Sequence, residues 1–193
     1  VETGYPTHIN ELIQLTQKYP DSINLAIKLV NALDSAGLYK EAIEQVNNLI
    51  KTDSLNFGFW NAKAHLQENA KDTAGAIISY KRALRVYPSP DAMLTLANLF
   101  AETKNDTALI LCKEVNGLSA DKKYEADCQF IEGIYYARKG NIEKALTILN
   151  ATDIHLLKDL PKKTLKISTL ALLFICLQKD LSTTSMDLKL TFG

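Results

Sequence analysis

Charge of one sign is the first thing this chain lacks. Lysine plus arginine number 22 and aspartate plus glutamate number 22, so the formal net charge at neutral pH is zero. Binders of nucleic acid or anionic membrane usually carry a basic excess, so no nucleic-acid partner is expected. Cysteine is scarce: Cys112, Cys128 and Cys176 are an odd, widely spaced set with no CxxC. That argues against a disulfide framework or a zinc site, and for small buried hydrophobes. Long apolar runs are missing too. The longest, Leu170 to Leu177, is far short of the roughly 20 residues a membrane span needs. The histidines His8, His65 and His155 have no metal-ligand spacing, and no GxGxxG, P-loop, GxSxG or paired catalytic carboxylate pattern occurs. An enzyme, a cofactor and a metal are accordingly not expected.

What is present is a period. Gly37-Leu38-Tyr39-Lys40-Glu41-Ala42-Ile43 is answered by Lys71-Asp72-Thr73-Ala74-Gly75-Ala76-Ile77, and again by Gly140-Asn141-Ile142-Glu143-Lys144-Ala145-Leu146. Ala42 and Ala76 are 34 positions apart, and Ala145 follows 69 later, about two further periods. A fixed period of this length marks a helical repeat array. Helical spacing of apolar residues dominates between these markers. It predicts a lone helix within 7–20, ended by Pro20, then helix pairs over 23–56, 57–90, 91–120 and 122–152. A last helix is expected over 161–178, opened by Pro161 and followed by an irregular tail. No linker or low-complexity stretch interrupts the chain, so one domain over 1–193 with about ten helices is expected.

The repeat resembles the tetratricopeptide repeat, a 34-residue helix-turn-helix unit. The first full repeat supplies Leu29, Val30 and Leu33, then Ala42, Val46 and Leu49. The second supplies Trp60, Ala64, Ala76, Tyr80, Ala83 and Pro88, and the fourth Gly133, Tyr136, Gly140, Ala145 and Leu149. The third fits at Leu96, Ala97 and Phe100 but has Leu109 where a small residue is usual. The resemblance covers roughly residues 7 to 152. It implies an all-α, right-handed α-α superhelix of antiparallel helix pairs. Physical reasoning agrees: small residues let paired helices approach, ridges then pack into grooves, and neighbouring repeats share a core that no single pair could bury.

In such a fold the first helix of each pair lines a concave face. The resemblance places Asn31, Asn61, His65, Leu94, Asn98, Phe130, Ile134 and Arg138 there, with Ile27, Asp34, Glu68 and Glu102 beside them. The expected function is a non-enzymatic protein-interaction scaffold that takes a peptide or a partner helix in this groove. The plainer reading of the same face is a solvated surface, against which exposed Ile27, Leu94, Phe130 and Ile134 would count. A lysine-asparagine clamp for a carboxylate terminus, known in the family, is not expected, because Ile27 and Asp91 stand where lysines would be required. The alternative function is a structural or assembly protein that self-associates through its C-terminal end, giving a homodimer. Leu170, Leu172, Leu173, Phe174, Ile175 and Leu177 make that end apolar on every face. The chain opens on Val1 rather than methionine, which suits an exported protein, such as a lipoprotein, whose leader has been removed.

Overall fold

The computed structural model describes residues 4–118 and 122–152. The described residues hold nine helices and no strand. They are α1 (Thr7–Lys18), α2 (Ile23–Ser35), α3 (Tyr39–Thr52), α4 (Phe57–Asn69), α5 (Thr73–Val86), α6 (Pro90–Glu102), α7 (Thr107–Gly117), α8 (Glu125–Arg138) and α9 (Ile142–Ala151). The expected helix over 161–178 and its tail, with His155 and Cys176, lie outside the described residues. None of the described helices is long and apolar enough to cross a membrane.

Four of the loops repeat one piece of backbone chemistry. Helix α2 ends with Gly37 in the left-handed region, φ 74°, and α8 ends with Gly140 at φ 85°. After α4 and α6 the same place is held by Lys71 (φ 62°) and Lys104 (φ 60°). In each case the next residue's N–H reaches back five positions. Leu38 donates to the Leu33 carbonyl at 2.9 Å, Asp72 to Gln67 at 2.8 Å, Asn105 to Phe100 at 2.8 Å and Asn141 to Tyr136 at 2.9 Å. The left-handed residue itself donates three positions back, to Asp34, Glu68, Ala101 and Ala137 respectively. This is the two-bond helix stop in which a left-handed residue satisfies the last carbonyls. Glycine signals it in two repeats; lysine adopts it in the other two without a sequence signal. The turn then feeds a capped helix: Asp72 Oδ1 accepts from the Gly75 N–H at 2.9 Å, and Asn141 Oδ1 from the Lys144 N–H at 3.1 Å.

The described residues divide into two compact units, one up to Ala92 and one from Met93. In the first, α1 to α4 each pack on the next helix. The core joins Ile9, Leu29, Val30, Leu33, Val46 and Leu49 to Phe59 and Leu66. Ala42 and Ala76 are fully buried, as the period predicted, and so is Ala64. Side-chain bonds stitch α4 to α5: Ser79 Oγ donates to Gln67 Oε1 at 2.6 Å, and Gln67 Nε2 donates to Asp72 Oδ2 at 3.1 Å.

In the second unit α8 packs on α7 and α9. Gly133 lets α9 close in; a Cβ there would stand 2.6 Å from Leu149 Cγ. An ion pair from Arg138 to Glu102 links α8 to α6, and Tyr135 donates to Asp106 Oδ1 at 2.6 Å. Every residue of α6 from Met93 through Ala101 is buried. That stretch includes only two polar side chains, Thr95 and Asn98, and no charge. A helix apolar on all faces is buried on all faces.

Candidate partner-binding groove

An open apolar pocket of about 430 Å³ lies in the first unit, between the N-terminal halves of α2 and α4. Ile23, Ile27, Val30 and Asn31 come from α2, Val46 and Leu49 from α3, and Gly58, Phe59 and Ala62 from α4. Sequence spacing explains the shape. Ile23, Ile27 and Asn31 are four apart and share a face of α2, whereas α4 offers Gly58 and Ala62, which fill little space. Val46, Leu49 and Phe59 form the buried floor, while Ile23 and Ile27 remain 48% and 38% exposed at the rim.

Polar groups at the pocket differ in how far they are committed. Asp53 Oδ1 accepts from the Leu55 N–H at 3.1 Å. Asn56 accepts from the Phe59 N–H at 3.3 Å while donating to Asp53 Oδ2 at 3.3 Å. Those two side chains hold the turn into α4. Asn31 is exposed, and its carboxamide has no hydrogen-bond partner among the described residues. It is the uncommitted polar side chain of the pocket lining. Farther along, Asn69 Nδ2 donates to Asp34 Oδ1 at 3.0 Å and ties α4 to α2.

Asn61 is half-buried and precedes the pocket-lining Ala62. His65, one turn on, is exposed but held: its Nδ1 lies 3.0 Å from the Tyr80 hydroxyl, which also donates to Glu68 Oε2. Tyr80 is fully buried. Burial raises the Glu68 carboxyl, against the lowering effect of the Tyr80 hydrogen bond and of His65. Burial and the Glu68 charge push the Tyr80 phenol far above its ordinary value.

The positions expected to be exposed in the later repeats require correction. Leu94 is 0% exposed, Asn98 4%, Phe130 1% and Ile134 2%. Leu94 and Asn98 sit in the wholly buried stretch of α6. On α8, seven of the nine residues from Asp127 to Tyr135 are buried, so Phe130 and Ile134 belong to packing. Arg138 is exposed, but its guanidinium is engaged by Glu102. The missed contributors Ile23, Gly58 and Ala62 were visible only as small or flanking residues; their four-residue spacing was the available signal.

No protein-family model matches the chain, and no curated protein matches it. Solved structures do. A tetratricopeptide repeat protein from Parabacteroides merdae superposes with a TM-score of 0.66 at 18% identity, covering 95% of this chain and 71% of that one. The crystal structure of MamA gives 0.61 at 17% identity over 74% of this chain and 82% of the other. A thermophilic tetratricopeptide repeat protein from Thermus thermophilus gives 0.55 at 17% identity over 86% and 89%. At such identities the likeness speaks for the fold, and the fold is that of the tetratricopeptide repeat proteins.

Proposed function

We propose that the protein is a non-enzymatic interaction scaffold and that the α2–α4 groove of its first unit receives a segment of a partner protein. The observation that carries this is the 430 Å³ apolar pocket with the uncommitted Asn31 carboxamide at its rim. The pocket suits a branched or aromatic anchor side chain, and an asparagine amide both donates to and accepts from peptide backbone. A non-enzymatic role is supported by where the perturbed groups sit. Tyr80 and Cys112 are fully buried in helix packing, Glu68 is bonded to Tyr80, and Asp106 is paired with Tyr135 and Lys139. The alternative, self-association through 161–178, concerns residues outside those described.

Panning a random peptide library on the full chain tests the reading. Selected peptides should share a bulky apolar anchor and lose affinity at least about tenfold, or 1.4 kcal/mol, on Ile27→Asp. Peptides that bind the variant equally well would place the site elsewhere.

A further inference from the structure

Cys112 on α7 and Cys128 on α8 face one another where these helices cross, at 0% and 1% exposure, and both are free thiols. Cys128 Sγ lies 3.4 Å from the Cys112 carbonyl oxygen, and Cys112 Sγ lies 3.9 Å from the Cys128 carbonyl oxygen. The neighbouring Cys128 thiol and burial hold the Cys112 thiol well above its ordinary value. Each sulfur thus reaches the other residue's main chain. Reciprocal reach of this kind sets the two side chains next to one another at the crossing, and adjacency is the first requirement for a bridge between two cysteines. Small side chains are all that close packing asks for, and Ala42, Ala76 and Ala145 supply them elsewhere. Two thiols that each reach the other residue's main chain add a chemistry that alanine does not have.

We propose that Cys112 and Cys128 are a dithiol modification site, converted by a small-molecule disulfide into an intramolecular disulfide that fastens α7 to α8. During a local opening one cysteine loses its proton, and its sulfur attacks the small disulfide RSSR, releasing RS⁻, which takes up the proton. The second cysteine sulfur then displaces the remaining RS group from the mixed disulfide, and its proton leaves with that group as RSH. Both cysteines are oxidised and one RSSR is reduced to two RSH, so electrons and protons balance. Burial and the raised Cys112 thiol make the native reaction slow and dependent on opening. The product closes a loop from residue 112 to residue 128 and limits the unfolded chain.

The reduced full chain is incubated with oxidised glutathione under native conditions, unfolded, and its remaining thiols are alkylated and counted by mass. Two of the three thiols should be lost, with a mass about 2 Da lower for two departed hydrogens. Peptide mapping should join Cys112 to Cys128. The thermal midpoint should rise and return on reduction. A Cys176→Ser chain should form the same link, and a Cys128→Ser chain should not. Three surviving thiols, a lasting glutathione adduct on Cys112 or Cys128, pairing with Cys176, or a link formed only in denaturant would each overturn the proposal.

Discussion

The two compact units use the same helix-pair plan and treat its faces differently. In the first unit α2 buries Leu29, Val30 and Leu33 and leaves Asn24, Ile27, Lys28 and Asn31 exposed. In the second, α6 buries an unbroken run from Met93 to Ala101, and α8 buries Phe130 and Ile134 along with its repeat core. The repeat sets which residues must be small and where the chain must turn. It leaves the other helix face free to become groove or core. Composition decides between the two: polar residues interleaved along α2 keep one side wet, and their absence from α6 removes any wet side. The proposed partner surface is accordingly assigned to the first unit.

The sharpest way to break this contrast is to truncate one equivalent position in each unit. Phe130→Ala should cost about 3–5 kcal/mol, the range for an emptied core site. Ile27→Ala should cost under about 1 kcal/mol, since much of that side chain already meets water. Urea denaturation measures both, and comparable losses would erase the distinction. Next in size is overpacking of a crossing that both units share. Ala76→Leu and Ala145→Leu, at 0% and 2% exposure, should each cost about 1–3 kcal/mol. An unchanged thermal midpoint would mean that these sites can expand.

Much of this was legible in the sequence. The period located the helix pairs, and boundaries fall within a few residues of expectation because proline, glycine and asparagine punctuate them. Buried Ala42, Ala76 and Ala145 follow from their recurrence. Facing was harder to read. Leu94 and Asn98 were placed outward by repeat register, although Ala92, Met93, Leu94, Leu96, Ala97, Leu99, Phe100 and Ala101 leave α6 with no polar side to present. Register fixes an angle around the helix, not what lies opposite it. The left-handed turns at Lys71 and Lys104 were silent because lysine carries no local signal for that conformation. The meeting of Cys112 and Cys128, sixteen residues apart, depends on how α7 and α8 pack.

Smaller effects sharpen the account. Replacing Lys71 or Lys104 with glycine relieves a Cβ from the left-handed region and should stabilise by up to about 1 kcal/mol. Gly37→Ala, at φ 74°, should destabilise by a similar amount. Matched melts of the variants check the sign, and a loss on Lys71→Gly would mean that the lysine side chain contributes more than its backbone costs.

Smallest is the Glu68 linkage. Its carboxyl is raised from 4.5, chiefly by burial, so the folded chain holds that proton more tightly than the unfolded chain. The resulting stabilisation is full below 4.5 and is lost as pH rises through the folded value. Glu68→Gln, which keeps an acceptor for Tyr80, should gain on the parent between pH 4 and pH 7. Denaturation at the two pH values gives the comparison, and a constant difference would contradict the assignment.

The location of partner binding is the central claim, and calorimetric titration of a library-selected peptide into three full-length chains tests it most directly. Ile27→Asp should weaken binding at least about tenfold, because it places a charge in the apolar pocket of the first unit. Arg138→Glu in the second unit should leave affinity within about twofold of the parent. Binding that survives Ile27→Asp and fails on Arg138→Glu would contradict the account.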